Sequence, residues 1–290
     1  MDWQQQRQLV KLAALEAERT RLFSKIPLTA PIDPIETAIE CGCEVRFLRL
    51  ASLEGVYSPE PRPAIVIGSE RPAGRRTFTC AHELGHHIFK HGIRIDDLDA
   101  HKRTCRKSSE EFLADVFAGF LLMSQTAVFR ALKDRGWSAT TLQPEQAYRL
   151  ANFFGVGYGT IINHLAVSLQ IMPREWADEL KKIQPKQIKA QYGANANSEA
   201  VLVDYNWRQR AVDLEIGDTL VLPRGSSTEP GNQIELVSDK GDFLIYRAIN
   251  SGYARAFCFE GEWAVNIRIS RKNYEGLAQY RFLEESEVEL

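Results

Sequence analysis

The stretch Thr79-Cys80-Ala81-His82-Glu83-Leu84-Gly85-His86-His87 constrains this chain more than any other. It carries H-E-x-x-H, and on an α-helix residues four apart lie one above the other. His82 and His86 would then present both imidazoles to one zinc ion. Glu83, one residue on and rotated round the helix, would approach a water beside that ion without being a ligand, which is the general-base position of a zinc peptidase. A helix with two surface histidines and a salt-bridging glutamate satisfies the same spacing. A third ligand, a helix and a cleft therefore have to come from elsewhere in the chain.

The flanks supply the helix. Ser69 offers a cap, Arg71-Pro72 a start, and Gly92 a residue suited to the left-handed position after the last turn near His91. Phe78, Ala81, Leu84, Gly85, Ile88 and Phe89 give this segment a broad apolar surface, so the motif is expected on a largely buried helix. His87 is rotated off the His82–His86 stripe and reads as a packing residue or a partner of a ligand. His91 reads as a cation near the helix C-terminus.

The third ligand is expected on the next strong helix, Ser108 to Met123, where Phe112, Val116, Phe120 and Met123 form one apolar stripe widened by Leu113 and Phe117. Glu111 and Asp115, four apart, stack on one edge of that stripe. The glutamate can ligate a metal, and an aspartate one turn later can hold the far ring nitrogen of a ligating histidine. Ser108-x-x-Glu111 is also a capping box, in which Glu111 would only bond the helix N-terminus. Two acids beside an aromatic stripe are costly to bury without a partner, which favours ligation by Glu111, with Glu110 as the fallback.

HELGHH followed by EEFLADVFAGFLLM resembles the ImmA/IrrE-type metallopeptidase family. Its pattern is a His-Glu-x-x-His helix and then a helix with Glu-x-x-Ala-(Asn/Asp)-x-Phe-Ala ending in Leu-Leu-Met-Pro. Glu111, Ala114, Asp115, Phe117, Ala118 and Leu121-Leu122-Met123 match by position, and Ser124 replaces the proline. The resemblance covers roughly residues 30–170. It implies an α+β fold with a gluzincin-like zinc peptidase domain, and one zinc ion held by His82, His86 and Glu111 with Glu83 as base. It further implies site-specific cleavage of a helix-turn-helix transcriptional repressor in a stress or mobile-element response. Such a reaction also needs a group that stabilises the oxyanion. His87, His101, Arg75 and Arg76 are candidates among which the sequence does not choose.

Around this core, residues 1–30 read as an amphipathic N-terminal helix that docks on the domain, and 31–125 as the peptidase domain. Asp33-Pro34 starts a helix to about Glu40, strands are expected at 45–48 and 64–68 with a Gly/Pro turn region between, and 93–107 reads as a charged loop. Residues 126–190 read as a helical segment and linker. Within it Ala151, Gly155, Val156 and Ile161 have helix-turn-helix phasing. Tyr158 and Asn163 would lie on the recognition helix, but no Lys or Arg is there to meet phosphate or guanine. A helical hairpin that completes the peptidase domain or touches substrate is the favoured reading, and DNA a weakly supported partner. Residues 198–290 read as an antiparallel β domain of short strands punctuated by glycines, without a chemical motif.

Composition excludes some classes. The formal net charge is −2, so nothing draws the whole molecule to nucleic acid or anionic membrane. No apolar stretch of spanning length stands out, the N-terminus is polar, and five cysteines lack a disulfide-framework spacing. A cytoplasmic protein without a membrane partner is expected. Cys41 and Cys43 read as structural. Cys80 is turned away from His82 on the helix, whereas Cys105 on the loop remains open as a thiolate that blocks the site. The reading as a whole is a regulatory zinc endopeptidase with a protein substrate. The alternatives are a DNA- or repressor-binding regulator whose zinc site is structural or inactive, and a general protease.

Overall fold

The computed structural model describes residues 3–97, 108–195, 198–208, 210–259 and 262–283. Helix α1 (Trp3–Phe23) docks as expected. Its Arg21 is fully buried, and the guanidinium donates to the carbonyls of Pro27, Ala30 and Leu121. Helix α2 (Pro34–Glu40) begins where Asp33-Pro34 predicts, the Asp33 carboxylate accepting the Ile35 amide at 3.0 Å. Strands β1 (Glu44–Leu48), β2 (Leu53–Ser58) and β3 (Ala64–Gly68) precede the motif helix α3 (Ala73–Ile88), and β4 (Arg94–Asp97) follows it. β1 and β3 run parallel, and β2 is antiparallel to both β3 and β4.

Two of these strands lie where the sequence reads as turn and loop. β2 escapes notice because Gly55 interrupts its alternation, and packing demands that glycine. A Cβ at Gly55 would stand 2.7 Å from the Glu83 carboxylate and closer still to the Thr79 methyl group of α3. β4 is charged because it is an edge strand, and charge is common where one side of a strand has no ladder partner. Cys105 and His101 lie outside the described residues.

Helices α4 (Ser109–Leu122) and α5 (Gln125–Asp134) are broken at Met123-Ser124, where the Ser124 hydroxyl accepts the Ala127 amide at 3.2 Å and donates to the Leu28 carbonyl at 2.6 Å. Serine thus caps the helix that the family pattern would start with proline. By length and composition Ser109–Asp134 is apolar enough to cross a membrane, at a mean hydropathy of 1.6, contrary to the expectation that no such stretch stands out. It passes because α4 is a core helix, and 61% of its most apolar window is buried inside the fold.

Helices α6 (Pro144–Phe154) and α7 (Tyr158–Asn163) form the expected hairpin, with Gly155 left-handed at φ +65°. A π-helical turn, His164–Ser168, continues α7. Tyr158 is buried and its hydroxyl donates to the Leu180 carbonyl at 2.9 Å, so it is not offered to a DNA base, while Asn163 is exposed. Its neighbour Ile162 is buried in the core, which is why this helix reads as apolar. Helices α8 (Arg174–Lys182) and α9 (Pro185–Ala190) follow.

The later strands are β5 (Ala200–Leu202), β6 (Val212–Glu215), β7 (Thr219–Pro223), β8 (Ser227–Thr228), β9 (Ile234–Asp239), β10 (Phe243–Ala248), β11 (Gly252–Cys258), β12 (Trp263–Ser270) and β13 (Gly276–Leu277). They build two sheets, ordered β5-β7-β10-β9 and β6-β12-β11-β8. The expectation of a purely antiparallel unit is corrected. β5 pairs with β7 and β6 with β12 in parallel; neither pair is consecutive in the chain, so no hairpin joins its two strands. β13 leaves both sheets and pairs with β1, extending the first sheet to β13-β1-β3-β2-β4.

His164 joins these layers. Its Nε2 lies 2.8 Å from the Met123 carbonyl at the end of α4, and burial pushes its pKa from the ordinary 6.5 down to about 4. Between those values the unfolded chain binds a proton that the folded chain does not, so stability falls as pH drops from about 6.5 to 4. We expect a loss on the order of 3 kcal/mol from this one group by pH 4. His164→Gln, which retains a donor, should flatten the acid limb in urea titrations; an unchanged limb would assign the acid loss to other groups.

Candidate metal centre

The site is assembled where α3 crosses α4. Gly85 sets the crossing distance: a Cβ there would lie 3.1 Å from the Phe117 ring and 3.2 Å from the Ala114 Cα. The motif's glycine therefore lets the two helices approach closely enough for α4 carboxylates to reach α3 imidazoles. The Nε2 atoms of His82 and His86 stand 3.0 Å apart. Glu111 Oε2 is 3.3 Å from His82 Nε2, and Glu111 Oε1 is 3.5 Å from His86 Nε2.

These separations test the fit of a metal. Ligand atoms at tetrahedral zinc, with bonds near 2.0–2.1 Å, lie about 3.3 Å from one another. The two ring nitrogens and the nearer Glu111 oxygen to each stand at about that spacing, and one ligand atom from each of the three residues lies within 4.8 Å of the others, close enough to hold one ion. Two imidazole nitrogens and a carboxylate also suit zinc chemically. His86 is fully buried and His82 5% exposed, so both Nε2 atoms face the carboxylate rather than bulk water. His82 and His86 together hold the Glu111 carboxyl well below the usual carboxylate range, chiefly by hydrogen bonding to it.

The capping geometry and the approach of the Glu111 side chain to the histidines are compatible. The Ser108 hydroxyl accepts the Glu111 amide at 3.2 Å, so the helix is capped, while the Glu111 side chain turns to the histidines. Asp115 Oδ1 lies 3.0 Å from His82 Nδ1. That places the carboxylate at hydrogen-bond distance from the far ring nitrogen of His82, where an acid can orient a ligating imidazole. Glu83 is fully buried between α3 and β2, its carboxylate against Gly55.

The oxyanion candidates separate. Arg76 is turned away, donating to Glu215 at 2.6 Å and to the Ser69 carbonyl at 3.2 Å. His87 meets the Tyr57 hydroxyl of β2 at 3.1 Å through Nδ1. Arg75 pairs with Glu54 at 2.5 Å and lines the same cleft as His82 and Asp115. Cys80 is fully buried, and desolvation raises its pKa well above the ordinary thiol value, which keeps it a neutral thiol rather than a zinc ligand. Glu54 and Tyr57 were not foreseen, since they lie on the strand the sequence conceals.

The cleft has a volume of about 610 Å³, and its lining includes His82 and Asp115. One wall is the first half of α3, another the α6–α7 turn, and the far wall is Val201, Trp207 and Arg210 from the start of the β-rich region. Gly74 permits this shape, because a Cβ there would meet the Gly157 amide nitrogen at 2.7 Å.

A two-helix His-His-Glu centre beside a cleft, in an α+β fold, is the arrangement a metallopeptidase domain uses. Residues 40–166 match the family model described as the IrrE N-terminal-like domain, Peptidase_M78. Over that span the chain is similar to the ImmA/IrrE type. A stretch of 100 residues is 30% identical to the radiation response metalloprotease IrrE of Deinococcus radiodurans, covering 33% of this chain and 29% of that protein.

The crossing makes Gly85 a sensitive position. Gly85→Val should destabilise the protein by about 1–3 kcal/mol and weaken zinc binding, as the helices are forced apart. Gly92→Ala, with nothing within 4 Å of the added carbon, serves as the silent control. Thermal melts and chelator competition measure both effects, and equal behaviour of the two variants would refute this role for Gly85.

Proposed function

We propose that the protein is a zinc-dependent endopeptidase that acts as a regulatory protease and cleaves a helix-turn-helix transcriptional repressor. The observation that carries the peptidase reading is the His82–His86–Glu111 cluster, whose His82 lines the cleft, with Glu83 next to His82 on the same helix. His82, His86 and Glu111 would hold the zinc ion, and the resemblance to the ImmA/IrrE type supports the same assignment. Zinc, when bound, supplies a Lewis acid and lowers the pKa of water.

The chain's own residues do the rest. Glu83 takes the proton from the attacking water and returns it to the leaving nitrogen, as a general base that becomes a general acid. Asp115 keeps His82 in the tautomer that presents Nε2. Arg75, paired with Glu54, lines the same cleft as His82 and is assigned the positive charge for the developing oxyanion. The cleft receives the substrate chain between α3, the α6–α7 turn and the wall around Trp207.

The repressor substrate and a stress-response setting are supported by the family resemblance and by the radiation response in the relative's name. A cytoplasmic location suits such a substrate, and Cys41, Cys43, Cys80 and Cys258 are free thiols, as a reducing compartment leaves them. The α6–α7 hairpin, with Tyr158 turned inward, fits a cleft wall better than a DNA reader.

The test uses purified protein with zinc, a panel of helix-turn-helix repressors and an unfolded casein control. Wild type should cut one repressor at a single site and spare casein. Glu83→Gln should keep one zinc per chain and lose cleavage by about 100-fold or more. Cleavage that survives Glu83→Gln would sink the catalytic assignment, and digestion of casein at a similar rate would sink the regulatory one.

A further inference from the structure

The end of helix α3 carries a feature that the peptidase reading does not use. The His91 amide donates to the His86 carbonyl at 2.9 Å and the Lys90 amide to the His87 carbonyl at 3.1 Å, with Lys90 left-handed at φ +56°. This is the double hydrogen-bonded cap that reverses the chain after a helix, and it brings the residue beyond the turn against the last-turn residue it bonds. That contact is ordinarily between two apolar side chains. Here it is between two imidazoles: His91 Nδ1 lies 2.8 Å from His86 Nδ1. The left-handed residue is Lys90, two positions earlier than the Gly92 that the sequence suggests.

We infer that His91 is a positioning residue for the metal ligand His86, delivered to it by the helix cap. The inference rests on the reading of His82, His86 and Glu111 as metal ligands. His86 can offer a lone pair at Nε2 only with its proton on Nδ1, and that proton needs an acceptor. His91 Nδ1 is at hydrogen-bond distance and accepts it, with the His91 proton on Nε2. Packing fixes the accepting ring. His91 stacks on Phe89 at 5.9 Å between centroids, and Phe89 meets Phe117 of α4 edge-on at 5.7 Å. The two ligating histidines thus have unlike supports, the Asp115 carboxylate for His82 and a neutral imidazole for His86. His91 serves the metal without touching it.

Zinc affinity of the full-length chain, measured by competition with a chromophoric chelator, tests this without recourse to activity. His91→Phe keeps the ring packing but removes the acceptor, and should weaken zinc binding by about 10- to 100-fold. His91→Asn, whose side-chain oxygen can stand near the place of Nδ1, should recover much of that loss. A merely structural role predicts the reverse order, since Phe packs better than Asn. A backbone arm isolates the cap: Lys90→Gly should bind zinc as wild type does, whereas Lys90→Val, disfavoured at positive φ, should bind more weakly. His86→Ala provides the reference for a lost ligand. If His86→Ala loses zinc while His91→Phe binds it as tightly as wild type, the His91 assignment is overturned alone. If wild type and His86→Ala bind zinc equally, the metal reading falls and the His91 assignment with it.

Discussion

The close crossing of α3 and α4 at Gly85 is the constraint on which the rest depends. Neither helix holds a complete site. α3 contributes two imidazoles one turn apart, and α4 two carboxylates one turn apart. Only when the backbones approach to the contact that Gly85 and Ala114 permit do the four side chains interlock. Phe117, Leu84 and Leu121, all fully buried, then seal the crossing from water. The apolar burial around the site, and not the ligands alone, holds the helices together. The polar groups are arranged within a geometry the core has already set.

The same packing explains how so many ionisable groups are tolerated together. Three acids near the crossing face specific partners: Glu111 the two ring nitrogens, Asp115 the far nitrogen of His82, Glu54 the Arg75 guanidinium. Pairing offsets part of the cost of withdrawing such groups from water, whereas the removal of one partner leaves an uncompensated charge. The supports form a graded set, from an anionic carboxylate at His82 to a neutral ring at His86. Both rings are left with Nε2 aimed at one point.

The β-rich region is fastened to this core by polar stitching. Arg268 of β12 bonds Asp33, Glu36 and Asp213 at 2.6–2.7 Å, Arg76 of α3 bonds Glu215 of β6, and Arg135 grips Asp204 at 2.8 and 2.9 Å. The Tyr148 hydroxyl donates to the Ala200 carbonyl, and the Asn152 side chain accepts the Leu202 amide. These bonds set β5 beside α6 and place Trp207 and Arg210 across the cleft from α3. The region without a chemical motif of its own thereby becomes a wall of the site.

The sequence by itself determined the local pieces. Periodicity and the four-residue spacings identified the motif helix, the Glu111–Asp115 edge and the Asp33 cap, because helical geometry makes each a matter of neighbours along one chain. The hairpin around Gly155 was legible for the same reason. What only the tertiary structure decided is every feature set by contact between distant segments. β2 is a strand because Gly55 lies flat against Glu83. The β sheets contain parallel pairs between strands that are not consecutive in the chain, and Tyr158 is turned inward by Leu180. His91 is the clearest instance, since its spacing matched an ordinary end-of-helix cation. The reversal at Lys90 carried its ring back onto His86, and no periodic pattern encodes where a side chain arrives once the helix has ended.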